Sequence, residues 1–117
     1  MLLEKSYCES NIVPEDLIVN KLGGNLVEIT KNDNVVPFAK EHEGQEETFY
    51  KCDKVILRQN ISNKNDAIVA FIRLKYSQDD EFSLINKGVQ DSTDLEYMAY
   101  REYVAWCKEQ ASVYFDF

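Results

Sequence analysis

The chain has 117 residues, 44% of them hydrophobic and 29% charged, with a formal net charge of −8. That length suits one domain, and the balance of apolar and charged residues belongs to a chain that buries a core, not to a disordered one. The acidity argues against nucleic acid and anionic membranes as partners, because phosphate surfaces are bound by lysine and arginine displacing counterions. Basic protein partners stay compatible with it.

The first half is rich in turn formers: Pro14-Glu15-Asp16, Gly23-Gly24-Asn25 and Asn32-Asp33-Asn34. Short β-branched runs between them predict strands near 17–22 and 25–31. A third strand is predicted near 47–58. It alternates only in part, with Tyr50 and Cys52 on one face and Phe49, Lys51, Asp53 and Val55 on the other, so a bend or bulge is expected in it. The charged run Lys40 to Glu47 reads as a solvated hairpin tip.

The second half changes period. Ser62-Asn63 supplies cap chemistry for a helix near 63–76, where Ile68, Phe71, Ile72 and Lys75 share one face. Ser77, followed by Asp79, Asp80 and Glu81, starts a second helix near 78–87, with Phe82, Leu84 and Ile85 facing inward and Gly88 ending it. Thr93-Asp94-Leu95-Glu96 has capping-box spacing and opens a third helix near 94–112. The fold class expected is α+β: a small antiparallel N-terminal sheet followed by three helices, in a single domain over 1–117.

The third helix carries the functional reading. Tyr97, Tyr100, Val104, Cys107 and Ala111 form one stripe, whereas Leu95, Ala99 and Trp106 fall on the far side beside Glu102 and Glu109. A helix with an indole opposite its core stripe is expected to bury it against a second surface. Half of the 14 aromatic residues lie between Tyr97 and Phe117, so the tail is expected to fold back or to dock on another chain. The expected interface residues are Leu95, Ala99, Glu102, Trp106, Phe115 and Phe117.

No catalytic, cofactor-binding or metal-binding residue is assigned. His42 is the only histidine and lies between glutamates in a loop, where no packed scaffold would orient a base. The acidic groups 79–81 and 91–96 lack the calcium-loop pattern and sit where helix starts favour negative charge. Gly23-Gly24 precedes a strand, not a helix, and so makes a hairpin turn instead of a phosphate loop. Cys8, Cys52 and Cys107 are odd in number with no CxxC pair, and are expected as free, mostly buried thiols in a reducing compartment. No window reaches the roughly 20 apolar residues of a membrane span, and Met1 to Lys5 lacks the basic and apolar regions of a signal peptide.

The stretches Ile68 to Glu81 and Glu96 to Glu109 resemble small prophage-encoded proteins from the structural-gene regions of gut bacterial phages. This resemblance carries no catalytic motif and no functional residue. It implies a structural protein that is cytoplasmic or virion-associated. The expectation is therefore a non-enzymatic structural or protein-interaction module without a cofactor, binding a protein partner or a second copy through an aromatic face of the last helix. The alternative is a small-molecule-binding domain or minor enzyme with a pocket between sheet and helices, using Tyr50, Tyr97 or Tyr100.

Overall fold

The computed structural model describes residues 2–116, with His42 described by its backbone alone. In chain order the elements are β1 (Leu2–Ser10), β2 (Leu17–Gly23), β3 (Leu26–His42), β4 (Gln45–Asn60), α1 (Lys64–Arg73), α2 (Gln78–Gln90) and α3 (Leu95–Tyr114). The fold is α+β, a four-stranded antiparallel sheet in the order β1-β4-β3-β2 followed by three helices. It divides into two compact units, Met1–Gln59 and Asn60–Phe117.

In the sheet unit, β2 and β3 form the hairpin expected at Gly23-Gly24-Asn25. Gly23 and Gly24 take φ of 129° and 57°, where a side chain would be strained. The next hairpin is far longer than expected. β3 and β4 run on to a two-residue turn at Glu43 and Gly44, with φ of 52° and 77°. Two positive φ values match the twist of the flanking strands, so the tip predicted over 40–47 contracts to two residues.

Asn32-Asp33-Asn34 is not the predicted turn but lies inside β3. Asn32 is buried; its backbone N–H donates to the Asp16 carbonyl (3.0 Å) and its side-chain amide to the Glu15 carbonyl (2.7 Å). Lys31 bridges Asp16 (2.6 Å) and Asp33 (2.8 Å). Asn34 adopts a φ of 55° and donates to Asp53 across the ribbon (2.8 Å). Residues that make turns through local hydrogen bonds are here satisfied by neighbouring segments, and the strand continues through them.

β1 was not anticipated. It pairs with β4 without a slip from Leu2 opposite Arg58 to Ser10 opposite Tyr50, so the bulge expected in the third strand does not interrupt this ladder. A register shift occurs in β2, between Lys21 and Gly23. β4 buries Cys52 and Leu57, five residues apart and so on opposite faces, which blurs its alternation. The same register sets Cys8 opposite Cys52, and the two form a disulfide with Cα atoms 5.4 Å apart. The expectation of three free thiols therefore fails for two of them, because pairing of β1 with β4 brings Cys8 beside Cys52, a contact that spacing in the sequence does not reveal. Cys107 is free and buried.

In the helical unit, the caps use the expected chemistry with one displacement. Asn63 accepts from the Asp66 N–H (2.8 Å), and Ser77 and Asp80 complete a reciprocal capping box. The third helix is capped by Asp94, which accepts from the Tyr97 N–H (3.0 Å). Thr93, the expected cap, donates its hydroxyl to Asp91 instead (2.6 Å).

Gly88 does not end α2, which continues to Gln90. A Cβ at Gly88 would overlap the Tyr97 ring of α3, so this glycine serves close helix packing and not termination. Gly88→Ala is expected to destabilise the helical unit by about 1–3 kcal/mol in urea unfolding, overpacking outweighing the gain in helix propensity. The same substitution in a Tyr97→Ala background should instead stabilise it. Equal losses in both backgrounds would show that the ring is not the reason for glycine there.

Candidate interaction surface

α3 packs on both α1 and α2, and two networks make those contacts. The first is polar. Arg73 of α1 pairs with Glu81 of α2, and the second Glu81 oxygen accepts from the Tyr100 hydroxyl of α3 (2.7 Å). The guanidinium also reaches the Tyr76 carbonyl (3.3 Å). One carboxylate thus ties three helices together. Burial, reinforced by the hydrogen bond to Glu81, pushes the Tyr100 hydroxyl up to about 12, and burial likewise pushes the Cys107 thiol up to about 12.

Both groups favour the neutral form in the folded chain. Their contribution is fully present below the ordinary values near 9 for the thiol and 10 for the phenol, and is lost as pH rises toward the folded values. Thermal unfolding by circular dichroism should show the midpoint falling between about pH 9 and 12. A combined Tyr100→Phe, Cys107→Ala variant should fall less steeply, and an identical slope would refute this assignment.

The second network is aromatic. Phe71, fully buried in α1, meets Trp106 edge-on (centroids 6.1 Å, 82°), Tyr114 (6.4 Å) and Phe115 (6.5 Å). Tyr103 stacks on Trp106 (5.4 Å, 21°) and donates its hydroxyl to the Phe71 carbonyl (2.7 Å). Trp106 is therefore half-buried within the helical unit and does not stand opposite its core. It lies about 100° from Cys107 on the helical wheel. From that flank the long indole still reaches α1.

Of the other residues singled out on α3, Leu95, Ala99 and Glu102 are exposed. Phe115 is buried against Phe71, so the tail folds back at least that far. Phe117 lies outside the described residues.

The strongest unpartnered apolar feature is on α2, where the sequence placed none. Only Leu84 is buried there; Phe82 is 59% exposed, Ile85 44% and Val89 81%. The expectation that Phe82 and Ile85 face inward fails because α2 turns Leu84 to its buried side, leaving residues 82, 85 and 89 on another stripe. Leu95, just beyond the α2–α3 turn, is 82% exposed, and Met98 one turn later is 45% exposed.

Between α2 and α3 lies a groove of about 410 Å³, lined by Tyr76, Leu84, Ala99, Lys75, Lys87 and Glu96 among others. Lys87 and Glu96 are ion-paired across it (2.8 Å), which raises the lysine's pKa. The Lys75 ammonium stands over the Tyr76 and Tyr103 rings, at 5.5 and 5.1 Å. These side chains suit recognition through shape and charge. Tyr97 and Tyr100, proposed for a small-molecule pocket, are engaged with Gly88 and Glu81, and Tyr50 is half-buried on β4.

The acidic groups at the helix starts are used as caps and turn acceptors: Asp80 and Asp94 cap, and Asp91 accepts from the Thr93 hydroxyl and N–H, which lowers its pKa. No cluster of three or more metal-ligating side chains occurs among the described residues. The side chain of His42 lies outside what the structure describes. No described helix is long and apolar enough to cross a membrane. Comparison with protein-family models, with curated proteins and with solved structures gives no match.

Proposed function

We propose that this chain is a non-enzymatic protein-interaction module of phage structural origin, and that its helical unit supplies the binding surface. The observation that carries the reading is the run of exposed apolar side chains at Phe82, Ile85, Val89 and Leu95. Single exposed apolar residues are ordinary, but a stripe repeated at helical spacing is characteristic of a surface that is covered in an assembly. Leu95 opens the α3 flank that continues, at helical spacing, through Ala99, Glu102 and the accessible part of Trp106. The site's energy would come from burying this aliphatic and aromatic area, with the surrounding carboxylates selecting a basic rim on the partner. Of the two locations implied by the resemblance, the virion-associated one suits the oxidised form of the Cys8–Cys52 pair, because disulfides persist outside reducing cytoplasm.

A photo-cross-linking residue placed at Val89 or Leu95 tests this in the cells that produce the chain. The expected result is a discrete adduct from either position and none from Lys108, exposed elsewhere on α3. Adduct mass would distinguish a second copy from a different protein. Val89→Lys should abolish the Leu95 adduct without lowering the melting temperature. Indistinguishable adduct patterns from positions 89, 95 and 108 would overturn the proposal.

A further inference from the structure

The sheet unit contains a covalent link whose surroundings suit two oxidation states. β1 is an edge strand of the sheet, and of its nine residues only Cys8 and Ser10 are not exposed. Its side chains reach the rest of the sheet through weak devices: Glu4 lies 3.7 Å from the half-buried Arg58, at a long separation, and Glu9 3.2 Å from Lys40 at exposed positions where an ion pair contributes little. The bond from Cys8 to Cys52 is thus the main side-chain anchor of β1, joining positions 44 residues apart in sequence.

The two sulfurs differ in access. Cys52 is 2% exposed and Cys8 is half-buried, so an attacking thiolate reaches the Cys8 sulfur first. On the far side, Cys52 Sγ lies 3.6 Å from the side-chain oxygen of Asn32. That oxygen is oriented by the Asn32 amide, which donates to the Glu15 carbonyl. A disulfide sulfur has no hydrogen for this acceptor, whereas a Cys52 thiol does. The buried sulfur released by reduction therefore has a hydrogen-bond acceptor already in place.

From this register and asymmetry we infer that Cys8–Cys52 is a reversible thiol–disulfide site that clamps or releases the edge strand β1. A small-molecule thiolate of the glutathione class attacks Cys8 Sγ, forming a mixed disulfide and expelling the Cys52 thiolate, which takes a proton from solvent and, as a thiol, donates a hydrogen bond to the Asn32 side-chain oxygen. A second thiolate attacks the small-molecule sulfur of the mixed disulfide, releasing Cys8 as a thiol and leaving the small-molecule disulfide. Two electrons pass from two thiols to the protein, and the reverse sequence restores the bond. Release of β1 uncovers the β4 edge to which it was paired.

The test uses the full chain in glutathione buffers of varied thiol-to-disulfide ratio, with alkylation of free thiols and mass spectrometry, alongside backbone hydrogen exchange. Cys8 and Cys52 should become alkylated together within the range of ratios that glutathione spans, and the bond should re-form when the ratio is reversed. On reduction, amides of β1 and of the facing segment 50–58 should exchange at least about tenfold faster, with α1–α3 unchanged. Cys8→Ser should show the fast exchange without reductant and no further response to it. Should that variant fail to fold, the wild-type chain with and without a phosphine reductant gives the same comparison. A bond that stays oxidised at every ratio would mark a permanent staple, and unchanged β1 exchange after reduction would show that the bond clamps nothing. Either result overturns the proposal.

Discussion

Phe71→Ala is expected to destabilise the helical unit by about 3–5 kcal/mol, the largest single effect of any substitution considered for it. Phe71 has no exposed surface, and three aromatic rings from α3 and its C-terminal extension converge on it. Removing the ring loses its transfer free energy and leaves a cavity whose walls are themselves large rings, unable to collapse without breaking the Tyr103–Trp106 stack. Trp106 is the only tryptophan, so its fluorescence reports on this unit specifically during urea unfolding. Phe71→Leu, which keeps most of the volume, should cost about half as much or less. A loss below about 1 kcal/mol for Phe71→Ala would mean that the aromatic layer is not the core of this unit.

Arg73→Ala is expected to cost about 3 kcal/mol, more than a typical surface ion pair. The Arg73 and Glu81 side chains are 17% and 18% exposed, so neither is well hydrated. Deleting the guanidinium leaves the Glu81 carboxylate with the Tyr100 hydroxyl as its side-chain donor among the described residues. Glu81→Gln in the Arg73→Ala background removes the stranded charge and should recover part of the loss, which a double-mutant cycle would measure. If Arg73→Ala costs no more than a few tenths of a kcal/mol, water has access to the pair and it behaves as a surface bridge.

The helices were legible because their signals are local. Asn63 and Ser77 lie within one turn of the groups they cap, and the Ile68, Phe71 and Ile72 spacing places an apolar face whatever covers it. The α2 stripe was misread for a related reason. Residues 82, 84 and 85 are all apolar, and nothing within α2 says which side will meet α3. Gly88 decides it by admitting the Tyr97 ring to one side, turning Leu84 inward and leaving Phe82, Ile85 and Val89 outside. Trp106 shows the same limit on α3, where the wheel gives its angle but not the reach of the indole to Phe71.

Chain composition and periodicity by themselves determined the α+β class, the three helices with the caps at Asn63 and Ser77, and the Gly23-Gly24 hairpin; the cap of α3 falls one residue later than the sequence indicates, at Asp94. Each rests on interactions between residues a few positions apart. Tertiary structure alone decided β1, the passage of β3 through Asn32 and Asn34, the Cys8–Cys52 bond and the exposed face of α2. β1 carries no alternating pattern because nearly all its side chains face solvent, so it is a strand only by virtue of its hydrogen bonds to β4. Pairing of that kind is a property of two distant segments together, and neither segment encodes it alone.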